Sequence, residues 1–203
     1  MNLLLDTTNL ALAVCEKYLQ DGDTSVDCTC GRGHDTLFLA QRCRRVYSFD
    51  IQQEAIESAG DLLSDSGITW EIQGPPSGFA PAVSGSAVKV TFINDSHVSM
   101  ENYVAEEPAV IIFNLGYLPG GDKSVTTTAD TTISAVKKAL EKIKTGGLVC
   151  VSIYPGHEEG RREKEALKKF ARTLEKGKYH CVYADMLNQG DKAPEILWIT
   201  KKK

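Results

Sequence analysis

A glycine-containing turn and a single acidic residue of this chain have side-chain types and spacing that could hold a nucleoside. The first is the turn Gly31-Arg32-Gly33, which closely follows an apolar stretch, and the second is Asp50, which ends the next apolar stretch. Glycine lets the backbone approach a ligand closely, and a carboxylate after the second strand can accept hydrogen bonds from two ribose hydroxyls. The pattern therefore predicts a nucleoside site at the carboxyl edge of a parallel sheet.

Two classes of cofactor share this pattern. A dinucleotide-binding turn has a third glycine, but this chain has Thr36 at that position. Without that glycine, a pyrophosphate has less room against the helix N-terminus. S-adenosylmethionine needs the same ribose clamp and carries no phosphate, and its amino-acid end suits a carboxylate such as Asp27 or Asp35. The sequence favours S-adenosylmethionine, and an NAD-binding oxidoreductase is the alternative.

Polar residues also follow later apolar stretches of the chain. Asp95, in the segment Asp95-Ser96-His97, could accept the amino group of an adenine, or Asp95 or Ser96 could cap a helix. Asn114 ends a buried strand, and its amide oxygen can accept a hydrogen bond from a substrate N–H. Tyr117, in the loop that follows, offers a flat surface for a base. These positions predict that a substrate lies beside the nucleoside.

A histidine and a basic helix follow the next strand. His157 has an imidazole that could accept a proton, or it could simply begin a helix. Arg161, Arg162 and Lys164 lie just behind it and suit phosphates. The net charge of −4 argues against a generally basic nucleic-acid binder, but basic residues dominate between positions 137 and 178. This distribution is compatible with local phosphate binding and equally with a solvated helix face.

Hydrophobic periodicity predicts an α/β fold. Strands are expected at 25–30, 45–50, 89–94, 109–115, 148–154, 180–187 and 195–200. Helical patterns separate them, except that a short loop joins the last two. We predict one domain over residues 1–203, with a seven-stranded, mostly parallel sheet, one antiparallel strand and helices on both faces. Residues 73–87, rich in Gly, Pro, Ser and Ala, are expected to form a long surface loop.

Composition points to a cytoplasmic protein without a metal. Apolar residues make up 42% and charged residues 25%, as in soluble globular chains, and the N-terminus lacks a basic leader pattern. No apolar run approaches the length of a membrane span. The six cysteines form no C-x-x-C pair, and a site at Cys28 and Cys30 would lack a nearby third ligand. We expect no bound metal.

These motifs together resemble the MnmM family of tRNA wobble-uridine methyltransferases. The resemblance lies in the segments Asp27 to Ala40, Phe49 to Gln52, Asp95 to His97, Asn114 to Lys123 and Tyr154 to Gly160, and in Asn188-Gln189. It implies a Rossmann-like class I methyltransferase that uses S-adenosylmethionine to methylate the amino group of 5-aminomethyl-(2-thio)uridine in tRNA. Arg32 departs from the expected Asn between the glycines, and the loop at 73–87 is longer than the family norm.

The resemblance and the chemistry of the side chains together suggest roles for individual residues. The cofactor would contact Asp27, Thr29, Gly31, Gly33, Asp35, Asp50, Gln52, Asp95, Ser96 and His97. The catalytic candidates are Asn114 to orient the amine, Tyr117 to stack on the uracil, and Asp122 or His157 to accept a proton. The anticodon stem-loop of tRNA would be bound by Lys123, Arg161, Arg162 and Lys164. rRNA, a protein or a small amine are alternative substrates, and a homodimer is left open.

Overall fold

The computed structural model describes residues 3–74, 89–118, 120 and 126–203. Its strands are β1 Thr24–Asp27, β2 Arg45–Phe49, β3 Trp70–Gln73, β4 Val90–Ile93, β5 Val110–Asn114, β6 Leu148–Ile153, β7 Tyr179–Ala184 and β8 Glu195–Lys201. Its α-helices are α1 Thr7–Glu16, α2 His34–Ala40, α3 Gln53–Asp65, α4 Ala129–Lys142 and α5 Glu158–Thr173, and 3₁₀ turns span Leu3–Leu5 and His97–Asn102.

The strands of this described part form one sheet, in the order β3-β4-β2-β1-β5-β6-β8-β7. β8 pairs antiparallel with β6 and with β7, and the other pairings are parallel. The predicted α/β architecture with one antiparallel strand is confirmed. The predicted number of seven strands is wrong, because the sheet has eight.

The additional strand is β3, at the outer edge of the sheet beside β4. It pairs in parallel register, with Trp70 opposite Val90 and Gln73 opposite Ile93. β3 is only four residues long, and two of them, Glu71 and Gln73, are polar, so it carries little periodic signal. The sequence therefore does not predict this strand. The loop expected at 73–87 therefore begins too early, since Gln73 belongs to a strand. Residues 75–88 of that prediction lie outside the described part of the chain.

Two hydrophobic clusters cover the two faces of the sheet, as the predicted helices on both faces require. On β5, Ile111 and Phe113 pack with residues of α4 and α5, whereas Val110 and Ile112 pack with residues of α1, α2 and α3. A central strand that is buried on both faces reads as a continuous apolar run. The apolar run at 109–115 therefore predicts β5 directly.

The strand order reverses direction at β1, which pairs with β2 on one side and with β5 on the other. Ligands of open α/β sheets bind at such a reversal, outside the carboxyl ends of the strands. Gly33 begins α2 there with φ of 82°, and a Cβ atom would lie 2.6 Å from the Cβ of Ala59 in α3. Glycine at this position lets the two helices pack closely behind the turn.

Candidate active site

A cavity of about 690 Å³ opens at the carboxyl edge of the sheet, where the loops after β1, β2, β4, β5 and β6 meet. Cavities of this size with a few convergent polar groups are typical of small-molecule sites. The predicted residues that line it are Thr29, Gly31, Asp35, Asp50, Gln52, Asp95, Ser96, His97, Asn114, Tyr117 and His157. The structure therefore brings most of the predicted cofactor side and substrate side into one space.

Asp50 is held in place at one end of the cavity. Its Oδ2 accepts a hydrogen bond from the backbone N–H of Gly31 at 2.9 Å, and its Oδ1 accepts one from the N–H of Gln52 at 3.0 Å. Each carboxylate oxygen retains a second lone pair, so the group can also accept hydrogen bonds from two vicinal hydroxyls. Ile51, which is 60% exposed, lies beside it on the cavity wall. These residues fit a ribose and the apolar face of a base.

Asp95 and Ser96 have structural partners although both line the cavity. Ser96 is the N-cap of the 3₁₀ turn and accepts a hydrogen bond from the N–H of Val98 at 3.3 Å. The Oδ2 of Asp95 accepts a hydrogen bond from the Tyr103 hydroxyl at 2.8 Å. The capping interpretation thus holds for Ser96. Asp95 retains acceptor capacity for a ligand because a carboxylate has about four lone-pair sites.

His97 presents a buried nitrogen in the same region. Its Nδ1 lies 2.8 Å from the carbonyl oxygen of Cys28, and since a carbonyl only accepts, Nδ1 must carry the proton. Burial lowers the pKa of His97 and favours the neutral ring, in which Nε2 is an acceptor. That Nε2 is buried and has no hydrogen-bond partner among the described residues. The residue therefore offers an acceptor that a donor in the cavity would satisfy.

Two predicted cofactor residues, Asp27 and Gly33, do not line the cavity and support it from behind. Asp27 is fully buried; its Oδ2 accepts from the Thr36 hydroxyl at 2.6 Å, and its Oδ1 accepts from the N–H of Thr29 at 3.1 Å. Burial, followed by the nearby charge of Asp35, raises the pKa of Asp27 to about 7. Thr36, which stands where a dinucleotide site has its third glycine, thus serves as the partner of this buried carboxyl.

Asn114 is held through both its backbone and its side chain. Its N–H donates to the Thr29 hydroxyl at 2.6 Å, and its Nδ2 donates to the Oδ2 of Asp35 at 3.3 Å. Burial raises the pKa of Asp35, and the hydrogen bond from Asn114 opposes that shift. The phenol of Tyr154, after β6, also interacts with this amide. An amide at the end of β5 is therefore fixed beside a buried carboxyl.

Tyr117 and His157 lie side by side in the cavity lining. Their ring centroids lie 5.7 Å apart, and Tyr117 is 38% exposed. The Nδ1 of His157, the N-cap of α5, accepts a hydrogen bond from the N–H of Gly160 at 3.1 Å. The neutral ring therefore carries its proton on Nε2, and accepting another proton on Nδ1 would break this cap. The structure favours the helix-cap interpretation of His157 over proton acceptance.

Three of the predicted basic residues, Arg161, Arg162 and Lys164, do not line the cavity. Lys164 pairs with the buried Glu195 at 2.7 Å, and Arg162 pairs with Glu158 at 2.6 Å, whereas Arg161 lies on the exposed surface of α5. The ion pair of Lys164 indicates a structural role, since Glu195 is only 3% exposed. Asp122 and Lys123, the remaining predicted substrate-side residues, lie outside the described part of the chain.

Several lining residues were not predicted from the sequence. Lys192, in the loop between β7 and β8, is exposed at the cavity mouth, and Thr126 pairs with Tyr117 in a short antiparallel bridge. The hydroxyl of Thr127 accepts a hydrogen bond from the N–H of Gly116 at 2.9 Å and so holds the loop after β5. A loop lysine and a threonine before a helix have no distinctive sequence pattern. Only the fold places them at the site.

The described ranges, 3–74, 89–118, 120 and 126–203, contain neither a metal-binding cluster nor a membrane-spanning helix. No group of three or more His, Cys, Asp or Glu side chains is arranged to hold a metal ion. No helix in that part is both long enough and apolar enough to cross a membrane.

Comparison with known sequences identifies relatives along nearly the whole chain. The sequence model of a family described as "Putative rRNA methylase" matches residues 46–200. A protein of Arabidopsis thaliana, named tRNA (mnm(5)s(2)U34)-methyltransferase, chloroplastic, is 36% identical over 208 residues. That alignment covers 97% of this chain and 69% of the Arabidopsis protein.

Comparison with solved structures leads to the same group. A "putative rRNA-methylase" from Clostridium thermocellum is 34% identical to this chain and has a TM-score of 0.85. The match covers 97% of each of the two chains. A "putative methyltransferase" from Streptococcus mutans, solved in complex with SAH, is 30% identical with a TM-score of 0.82, and the match covers 97% of this chain and 98% of that one. The family resemblance of the sequence motifs is confirmed: the chain belongs to the "Putative rRNA methylase" family and is a class I methyltransferase.

Proposed function

We propose that this protein transfers a methyl group from S-adenosylmethionine to the amine of 5-aminomethyl-(2-thio)uridine at the wobble position of tRNA. The observation that carries the proposal is the arrangement of two groups in one cavity: the Asp50 carboxylate, which suits a ribose, and the Asn114 amide, which suits an amine. The name of the Arabidopsis relative supports the choice of substrate.

On the cofactor side, Asp50 would bind the ribose hydroxyls and Ile51 would pack on the adenine. The backbone of the Gly31 turn and the Nε2 of His97, which has no partner among the described residues, would supply further polar contacts. When bound, S-adenosylmethionine supplies an electrophilic methyl group on a sulfonium. The protein then contributes mainly position and the exclusion of water.

On the substrate side, the Oδ1 of Asn114 would accept an N–H of the neutral amine and so direct its lone pair toward the methyl donor. Tyr117, which is 38% exposed, would stack on the uracil. An aminomethyl group is largely protonated at neutral pH, so a proton must leave before the amine reacts. Since His157 caps α5 through Nδ1, Asp122 is the better of the two predicted acceptors.

The RNA would approach from the cavity mouth. Bases of an anticodon loop are unpaired and can be splayed out and stacked on an aromatic side chain, as RNA recognition commonly requires. Lys192 at the mouth and Arg161 on the exposed surface of α5 are suited to the phosphates of the anticodon stem-loop. Lys123 is retained as a further candidate for this contact.

A methyl-transfer assay on purified RNA tests the proposal. The substrate is tRNA that carries 5-aminomethyluridine, the methyl donor is isotopically labelled, and the control is the same tRNA transcribed without modification. We expect label in the aminomethyl tRNA only, recovered after digestion as the methylaminomethyl nucleoside. Label in the unmodified transcript, in rRNA or in a free small amine instead would assign the enzyme to another substrate.

A further inference from the structure

We propose that Asp35 is a positioning residue that fixes which way the Asn114 amide faces, and thereby makes the site accept an amine. This inference rests on the proposed function, because it assigns a task to Asn114. It begins from the contact between the Oδ2 of Asp35 and the Nδ2 of Asn114 at 3.3 Å.

An asparagine amide has two nearly isosteric ends with opposite hydrogen-bonding character. Its oxygen accepts hydrogen bonds, whereas its nitrogen only donates them. If the oxygen of Asn114 faces a substrate amine, it accepts an N–H and leaves the nitrogen lone pair available. If the nitrogen faces the amine, it donates to that lone pair and blocks the nucleophile. Turnover therefore depends on the side-chain orientation as well as on the presence of the amide.

The contacts of Asn114 fix its backbone, so the orientation of its side-chain amide is the main freedom that remains. Its backbone N–H is fixed by the Thr29 hydroxyl at 2.6 Å at the end of β5. The Tyr154 hydroxyl next to the amide can donate or accept, so it does not select one end. An ionised carboxyl can only accept, so Asp35 selects Nδ2 and turns Oδ1 away from itself. Asp35 is 8% exposed, so water competes little for this contact.

Protonation of Asp35 would reverse this selection, because a carboxylic acid can donate to Oδ1. The charged and titratable groups around Asp35 are Asp27 in β1, His34 at the start of α2, Cys150 in β6 and Tyr154 after β6. Burial raises the pKa of Asp35, while the hydrogen bond from Asn114 and the charge of His34 act in the opposite direction. We therefore expect kcat to fall as the pH drops through the raised pKa of Asp35.

The test is a double-mutant cycle on kcat, measured with saturating cofactor and aminomethyl tRNA. Asp35→Asn keeps the shape of the side chain and removes the acceptor-only group. We expect it to lower kcat about 10- to 100-fold, because misplacement of a reacting group has effects of this size. It should also remove the contribution of Asp35 to the acidic limb of the pH profile, leaving the fall in kcat that protonation of the substrate amine causes. In an Asn114→Ala background, we expect the same change to alter kcat less than about twofold, because coupled residues are not additive.

Asp95→Asn is the matched control, because it removes a carboxylate of the same cavity that does not contact Asn114. It should change the KM for the cofactor and keep the acidic limb. Additive effects of Asp35→Asn and Asn114→Ala, or an effect of Asp35→Asn confined to the cofactor KM, would overturn the positioning role alone. Absence of wild-type turnover on aminomethyl tRNA would overturn the proposed function, and the positioning role with it.

Discussion

Replacing Asn114 with alanine will lower kcat by about 100-fold or more, because under the proposed function the amide positions the reacting amine. The affinity for S-adenosylhomocysteine should stay within about twofold of the wild-type value, since an interaction made with the reacting amine does not contribute to cofactor binding. Single-turnover kinetics on aminomethyl tRNA and calorimetry with S-adenosylhomocysteine measure the two quantities.

A second asparagine at the same sheet edge serves as a crossed control. Asn94, directly after β4, donates from Nδ2 to the backbone carbonyl of Asp50 at 3.1 Å. Asn94→Ala should therefore weaken cofactor binding and leave kcat at saturating cofactor largely intact. If Asn114→Ala instead weakens S-adenosylhomocysteine binding as much as it lowers turnover, Asn114 is a cofactor-binding residue and the assignment is wrong.

Replacing Asp50 with alanine will raise the Kd for S-adenosylhomocysteine by at least about 100-fold, because hydrogen bonds to a charged group contribute about 1.5–3 kcal/mol each and a ribose would lose two. The N–H groups of Gly31 and Gln52 lose their acceptor as well. Both residues are partly exposed, so water can replace the carboxylate and the fold should persist. Calorimetry gives the Kd, and a thermal melt without ligand checks the fold.

Asp50→Asn separates the charge of this residue from its shape. An amide retains one acceptor oxygen and adds two donors, so its Kd should lie between those of the wild type and Asp50→Ala. The increase in melting temperature caused by S-adenosylhomocysteine should be largest for the wild type, smaller for Asp50→Asn and smallest for Asp50→Ala. A Kd unchanged in Asp50→Ala would show that the ribose lies elsewhere and would remove the basis for the cofactor side of the cavity.

The fold was largely predictable because the buried centre of the sheet leaves a strong signal. β5 and β6 are apolar over nearly their whole length, since both of their faces are covered by helices. β3, in contrast, cannot be predicted from the sequence because it lacks such an apolar run. It is a four-residue edge strand with a half-exposed face, so its pairing with β4 depends on neighbours that are distant in the chain.

The cavity lining was predictable where a polar residue directly follows a strand. Asp50, Asp95 and Asn114 lie at the sheet edge because each comes at or just after a strand end. The sequence does not reveal which acid is buried, and Asp27 proved to support the turn from behind. Nor does it reveal that the Nδ1 of His157 accepts a hydrogen bond from the N–H of Gly160. Such local hydrogen bonds depend on side-chain geometry that residue spacing does not specify.

Mass spectrometry of tRNA nucleosides from cells with and without the gene tests the central claim most directly. We predict that the methylaminomethyl nucleoside is lost in the deletion strain and that its aminomethyl precursor accumulates. The wild-type gene should restore the methylated form, and the Asn114→Ala variant, expressed at the same level, should not. An unchanged nucleoside profile in the deletion strain, or loss of a methyl group from rRNA alone, would contradict the account.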